Sequence, residues 1–105
     1  MTAEPTLAVL LARVGEGDRA AFATLYRRTS AKLYGTILRI LPEGGQAEEA
    51  LQDVYARIWR IAGGYDATRG SPLAWLAAIA RTRAIDILRR ERPAAARLSA
   101  IDPDA

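Results

Sequence analysis

The sequence contains no cysteine and no histidine among its 105 residues. Without cysteine, disulfides and thiolate metal sites are excluded, and without histidine the commonest general base and metal ligand are missing. No apolar run approaches the roughly 20 residues that cross a bilayer. The first residues, MTAEPTLAVLLARV, place an acid and a proline before the apolar part and include no basic segment there. We therefore predict no secretory signal and a cytoplasmic protein.

Half of the residues are apolar, which is enough for one compact core in a chain of this length. The formal net charge is only +3, but the charges are unevenly distributed. Residues 43–53 contain four acids and no base, whereas residues 81–97 contain six arginines and two acids. One acidic and one basic surface predict two different partners. No nucleophile–base set or metal-ligand cluster is visible, so we predict neither an enzyme nor a bound metal or other cofactor.

Every long segment has helical periodicity and none alternates as a strand does, so we predict an all-α fold, a small bundle of about four helices. The predicted helices cover about residues 6–14, 19–41, 46–61 and 71–91. Asp18 and Ser71 are suitable N-caps, and Pro93 is expected to end the last helix. Residues 63–70, GGYDATRG, are predicted to form a loop, and residues 93–105 a linker or tail.

Apolar side chains spaced for one face of a helix predict the core. In the second helix this stripe contains Phe22, Leu25, Tyr26, Leu33, Ile37 and Leu41. In the third helix the core stripe contains Leu51, Val54, Ile58 and Ile61. Beside it runs a second stripe that combines acids and an amide with Tyr55 and Trp59. Aromatic side chains among polar groups are typical of protein interfaces, and the alternative is that Trp59 only covers the edge of the core.

The fourth predicted helix contains a tryptophan on an unexpected side. At about 100° per residue, its leucines and most of its alanines fall in one arc, and Trp75 lies opposite them with Thr82 and Arg89. An indole left in water forfeits about 2 kcal/mol or more of burial, so it needs a partner. Either Trp75 packs under the 63–70 loop, or it is a stacking surface for a nucleobase with arginines near the phosphates. The residues alone leave both interpretations open.

Several segments, taken in order, resemble region 2 of a bacterial extracytoplasmic-function (ECF) sigma factor of the sigma-70 family. They are GDRAAFATLYRRTSAKLYGTILRIL, AEEALQDVYARIWRI and, after the glycine-rich loop, SPLAWLAAIARTRAIDILRR. The resemblance covers about residues 7–92 and implies a sigma2-type domain over residues 1–92. It implies a transcription initiation factor domain that binds RNA polymerase and recognises and melts the −10 promoter element by capturing non-template single-stranded DNA.

The resemblance also implies which residues bind each partner. The family's counterpart of residues 46–61 docks on the coiled coil of the polymerase β′ clamp. The implied polymerase-binding residues are Glu48, Glu49, Gln52, Asp53, Ala56 and Trp59. In the family, the start of the last helix separates the DNA strands and the loop before it holds a flipped base, which implies that Trp75 is a wedge. The implied −10 DNA-binding residues are Arg57, Arg60, Gly64, Tyr65, Asp66, Arg69, Ser71, Trp75, Ile79, Arg81, Thr82, Arg83, Arg89 and Arg90.

Family members continue into a second helical domain that reads the −35 element, and this sequence stops at Ala105, within what would be the linker. Either this is a domain cut from a longer protein or it is an unusual single-domain member of the family, and we expect the former, without −35 recognition. An anti-sigma factor is a further implied partner, whereas no membrane or small-molecule partner is expected. One alternative is a sigma-like interaction module that is held by an anti-sigma factor or acts as a sigma mimic. Another is a dimeric regulator that binds duplex DNA.

Overall fold

The computed structural model describes residues 4–101, with side chains described for residues 4–90. This part of the chain forms four α-helices and two 3-10 turns, and it contains no strand. The helices are α1 (Leu7–Gly15), α2 (Arg19–Leu38), α3 (Gly44–Ile61) and α4 (Pro72–Ile101). Among the described residues, no helix combines the length and the apolar character needed to span a membrane. The predicted all-α bundle of four helices is confirmed.

Two helix starts are fixed by side chains that immediately precede them. Asp18 Oδ1 accepts a hydrogen bond from the Ala21 N–H at 3.0 Å, and Ser71 Oγ accepts one from the Ala74 N–H at 3.2 Å. Each bond satisfies a backbone donor that has no partner in the first turn of its helix. The predicted N-caps of α2 and α4 are confirmed.

The last helix is longer than predicted, because α4 continues past Pro93 to Ile101. A proline inside a helix removes one backbone hydrogen bond and costs about 3 kcal/mol. The next residues, 94–97, are three alanines and an arginine, which are among the best helix formers and favour continuation. The expected helix end at Pro93 is therefore wrong. The predicted linker or tail at 93–105 lies outside the residues whose side chains are described.

The centre of the bundle is α2, which packs against α1, α3 and α4. Its buried side chains follow one ridge with a spacing of four residues: Ala21, Leu25, Thr29, Leu33 and Ile37. Such a ridge drifts by about 40° every four residues, so the neighbouring ridge of Tyr26, Ser30 and Tyr34 lies beside the core. Tyr26 is 44% exposed. Its predicted place in the core stripe is therefore wrong.

A different tyrosine, Tyr55 of α3, occupies the core. Its side chain is buried, and its ring packs edge-on against Phe22 and Tyr26 with centroid distances of 6.1 and 4.7 Å. Its hydroxyl is hydrogen-bonded to Thr29 Oγ1. Because that Oγ1 donates its own hydrogen to the Leu25 carbonyl, the tyrosine is the donor of this bond. Tyr55 therefore belongs to the core and not to the polar stripe in which it was predicted.

The buried phenol makes stability depend on alkaline pH. Burial raises the pKa of Tyr55 to about 12. Since the folded pKa exceeds the unfolded value of about 10, the stabilisation is complete below about pH 10 and is lost as pH rises towards 12. We expect the free energy of unfolding to fall by about 2–3 kcal/mol more in the wild type than in Tyr55→Phe over this range. Urea denaturation at several pH values measures this difference, and parallel pH curves for the two proteins would contradict it.

Candidate nucleic-acid and protein interfaces

A groove of about 460 Å³ lies between α3 and α4, beside the core face of α4. Its volume is within the range of ligand pockets, about 300–1,000 Å³. The lining residues of this α3–α4 groove are Arg57, Ile61, Trp75, Ala78, Ile79, Thr82, Arg83 and Asp86. The structure therefore brings together five of the predicted DNA-binding residues, namely Arg57, Trp75, Ile79, Thr82 and Arg83.

Trp75 is neither sealed in the core nor left in water. Its side chain is partly buried and packs against the edge of the core. The ring of Tyr65, from the segment before α4, meets it edge-on with centroids 5.5 Å apart and planes at 63°. Trp75 also lines the α3–α4 groove. Trp75 thus contacts the predicted loop and also borders an open groove. Packing against the loop and a stacking surface for a nucleobase are therefore compatible roles for this residue.

Hydrogen bonds organise the segment before α4, which contains the 3-10 turns Ala62–Gly64 and Ala67–Arg69. The Tyr65 hydroxyl donates to the Gly70 carbonyl at 2.7 Å, and Gly70 has a φ of 137°, which favours glycine. Asp66 Oδ1 accepts from the side chain and the backbone N–H of Thr68 at 2.7 and 2.9 Å. These two bonds lower the pKa of Asp66. Tyr65, Asp66 and Ser71 were predicted to contact DNA. Their side chains form hydrogen bonds within the loop and at the N-cap of α4.

The predicted phosphate-binding arginines do not all border the same groove. Arg83 donates from Nε and Nη2 to Asp53 Oδ2, at 3.2 and 2.8 Å. Arg81 lies on another side of α4, in a groove of about 330 Å³ that it shares with Arg39, the residue that follows α2. The other arginines that were predicted to bind DNA are exposed: Arg57, Arg60, Arg69, Arg89 and Arg90. The α3–α4 groove is thus bordered by two guanidinium groups, one of which is paired with a carboxylate.

The predicted polymerase-binding residues lie together on the outer face of α3. Five of them are exposed: Glu48, Glu49, Gln52, Asp53 and Ala56. Trp59 is partly buried, and its ring meets that of Phe22 edge-on with centroids 5.3 Å apart. It therefore covers the edge of the core and still borders the exposed face. Through Asp53 this face is joined to the α3–α4 groove, because that carboxylate holds Arg83.

Residues 25–94 match the family model for sigma-70 region 2. This chain belongs to the sigma-70 region 2 family. The match extends from within α2 into α4, so it includes all the side chains that line the α3–α4 groove.

Several curated relatives of this sigma region 2 domain are named as ECF RNA polymerase sigma factors. The ECF RNA polymerase sigma factor SigK of Mycobacterium sp. (strain KMS) is 48% identical over 93 residues, which cover 89% of this chain and 48% of the relative. Its namesake from Mycolicibacterium vanbaalenii is 46% identical over 99 residues, covering 94% and 50%. The one from Mycobacterium ulcerans is 44% identical over 93 residues, covering 89% and 50%. The chain spans about half the length of the curated relatives it matches, each of which is named as an ECF RNA polymerase sigma factor.

Asp86 of the α3–α4 groove and the α2 side of a second groove were not predicted from the sequence of this sigma region 2 domain. Asp86 lines the α3–α4 groove, and the helical wheel could have found it, because eleven residues after Trp75 correspond to a rotation of only about 20°. A second groove, of about 430 Å³, lies between α2 and α3. The lining residues of this α2–α3 groove are Tyr26, Ser30, Ala31, Tyr34, Glu48, Leu51 and Gln52. No local signal indicated its α2 side, because those residues become neighbours of α3 only when the helices pack.

Proposed function

We propose that this domain binds RNA polymerase through the exposed face of α3 and captures the non-template strand of the −10 element in the α3–α4 groove. The proposal depends on one observation above all. Trp75 borders an open groove that is also lined by Arg57 and Arg83, and Tyr65 supports its indole from the side. An aromatic surface beside cationic groups is the combination that single-stranded nucleic acids need.

The proposed mechanism is base capture without chemical catalysis, which fits a transcription initiation factor and not an enzyme. Extruding a base costs a few kcal/mol, and stacking and hydrogen bonding of the extruded base offset that cost. Trp75 acts as the wedge at the upstream edge of the −10 element, with Ile79 and Thr82 next along the same side of α4. Opening is favoured because the groove binds only the separated strand well. Contacts to the base in the α3–α4 groove provide specificity, and the arginines provide affinity.

Polymerase binding uses a different surface, which allows both partners to be held at once. The coiled coil of the β′ clamp docks on α3 against the exposed carboxylates and amide, with Trp59 at the edge of the contact. An anti-sigma factor that covers the same surfaces would keep the domain inactive. Because the proposed partners are RNA polymerase and promoter DNA, we propose that the domain acts in the cytoplasm. Of the α3 residues, Gln52 is the better site to test than Asp53, because Asp53 is bonded to Arg83 and its loss would disturb both surfaces.

Selection from a random pool tests sequence recognition without assuming a promoter sequence. The 105-residue chain is immobilised, incubated with random single strands, and the bound strands are sequenced and then titrated as labelled oligonucleotides. We expect enrichment of particular bases at one or a few adjacent positions, and tighter binding of the enriched strand than of its duplex. A bound pool with the composition of the input would favour the interaction module or sigma mimic. Tighter binding of the duplex would favour a duplex-binding regulator.

A further inference from the structure

A groove of about 330 Å³ lies between the C-terminal end of α2 and α4, on the flank of α4 that does not carry Trp75. The described residues that line this α2–α4 groove are Thr36, Arg39, Ile40, Arg81 and Ile85. Two of them are arginines and none is an acid. Within residues 4–90, neither guanidinium group is paired with a carboxylate. The groove therefore holds two cationic groups whose counter-charge the described part of the chain does not supply.

The chemistry of these side chains selects an anion with several oxygen atoms. Guanidinium groups bind phosphate and carboxylate in two-point geometry, and two of them can hold one such group from both sides. The Thr36 hydroxyl donates to the Lys32 carbonyl at 3.2 Å, so the arginines are the donors that remain for a ligand. Partly buried isoleucines, Ile40 and Ile85, form the apolar part of the groove. Such surroundings strengthen an ionic hydrogen bond by excluding water.

A further cation extends the positive surface along α2. Lys32 is exposed and lies four residues before Thr36 and seven before Arg39, so all three share one face of the helix. Together with Arg81 of α4 they form a row of positive charges and not a single isolated site. A nucleic-acid strand carries one negative charge at every nucleotide, so a row of cations matches it better than it matches one carboxylate of a protein.

The α2–α4 groove is close to the proposed base-binding groove. Arg81 immediately precedes Thr82, which lines the α3–α4 groove. Successive residues of a helix are about 100° apart, so the two grooves are separated by about a quarter of a turn around α4. Ala78 and Thr82 on the intervening surface are exposed. A strand that leaves Trp75 can therefore cross α4 and reach Arg81 without displacing any element.

We propose that the α2–α4 groove binds a backbone phosphate of the same single strand whose base stacks on Trp75, with Arg39 and Arg81 on either side of that phosphate. The inference rests on the proposed function, because it assumes that a strand is captured at Trp75. Arg81 lies six residues after Trp75, or about 9 Å along the axis of α4, so the phosphate belongs to a nucleotide other than the stacked one. The inference adds the end of α2 to the DNA-binding surface and identifies Arg39 as a contact residue.

The experiment measures fluorescence anisotropy with the labelled single strand that the selection enriches. Copies of this strand each contain one uncharged methylphosphonate in place of one phosphate. Arg39→Gln and Arg81→Gln are each expected to weaken binding of the unmodified strand by about 3- to 10-fold. Each should also lower the slope of log affinity against log salt concentration by about 0.7, the value for one phosphate of a single strand. At one methylphosphonate position, a few nucleotides from the selected base, both variants should bind like the wild type.

Arg27→Gln is the matched control, because it removes the same charge from an exposed site of α2 outside the groove. The Arg27 guanidinium donates to Thr24 of the same helix at 3.3 Å and does not line the α2–α4 groove. We expect it to change the affinity by less than about 2-fold, since distant exposed charges are screened by salt. The thermal midpoint of every variant is recorded in the same buffer.

The outcomes separate the inference from the proposed function through Trp75→Ala. If Trp75→Ala weakens binding and neither Arg39→Gln nor Arg81→Gln does, the phosphate site is wrong and base capture stands; the groove is then left for an acidic protein segment. Losses that are equal in Arg27→Gln, or that persist with every methylphosphonate strand, show a general effect of charge and also overturn the site. If the selection enriches no strand, or Trp75→Ala binds like the wild type, base capture itself is overturned and the inference with it. Loss in both groove variants that disappears at one methylphosphonate position supports the inference.

Discussion

Trp75→Ala is expected to weaken binding of the domain to its enriched single strand by about 1–3 kcal/mol, or roughly 5- to 150-fold. The indole borders the α3–α4 groove, and an alanine there offers a base no surface on which to stack. Because Trp75 also contacts Tyr65 and the edge of the core, some loss of stability is expected as well. Fluorescence anisotropy titration at a temperature well below the thermal midpoint of the variant separates the two effects.

Two variants serve as controls for the Trp75 prediction. Trp75→Phe keeps an aromatic face and should recover part of the affinity. Trp59→Ala removes the other tryptophan, which lies on α3 against Phe22 and does not line the α3–α4 groove, so it should leave single-strand binding unchanged. Equal loss of single-strand affinity in Trp59→Ala and Trp75→Ala would show that the effect is general destabilisation, and the stacking role would be abandoned.

Gly15→Ala is expected to lower the free energy of unfolding by about 1–3 kcal/mol, which corresponds to roughly 5–15 °C in thermal midpoint for a domain of this size. A Cβ at Gly15 would lie 2.7 Å from Gly63 Cα and 2.9 Å from Gly63 N. Both atoms belong to the backbone, so no change of rotamer relieves the contact. The end of α1 must therefore move away from the Ala62–Gly64 turn, which leads into the segment that supports Trp75.

Gly35→Ala is the matched control, with the same chemical change and the opposite expected sign. Gly35 lies inside α2, and a Cβ there would meet nothing within 4 Å. Replacing a helical glycine by alanine without a clash stabilises by about 0.5–1 kcal/mol. Differential scanning calorimetry of the two variants tests both signs. A Gly15→Ala protein as stable as the wild type would mean that the approach of α1 to this turn is loose.

Helix existence and helix starts could be predicted because they depend on residues close in sequence. The caps at Asp18 and Ser71 bond to backbone groups three residues ahead, so no other element is needed to form them. The exact ends were less predictable: α2 ends at Leu38, three residues before the predicted end, and α4 continues past Pro93. A helix end depends on competing local bonds and on what the following residues pack against.

Tyr26 was predicted in the core and is exposed, whereas Tyr55 was predicted in the polar stripe and is buried. These two errors show where the helical wheel failed. Over 20 residues of α2 the buried ridge drifts around the helix, so a fixed arc includes side chains, such as that of Tyr26, that lie beside the ridge. Tyr55 was adjacent to the core arc of α3, and only the position of Thr29 on α2 gives its hydroxyl a buried partner. Which tyrosine is covered depends on how the two helices cross, and neither helix contains that information alone.

The two predicted surfaces likewise came from the sequence, whereas their connection did not. The segregation of acids on α3 and arginines on α4 indicated two partners. The pairing of Asp53 with Arg83 joins residues 30 positions apart, and the placement of Arg81 beside Arg39 removes one arginine from the α3–α4 groove. Such contacts depend on which faces of two helices meet.

The four helices, two of their caps, the family and the two kinds of surface could all be read from the order of the residues, because periodicity, capping and motif spacing are properties of near neighbours in the chain. Packing of the helices was needed to expose Tyr26, to place Trp75 at the edge of a groove and to pair Arg83 with Asp53. The physical reason is that burial and ion pairing depend on distances between helices, and these distances are set when the bundle assembles.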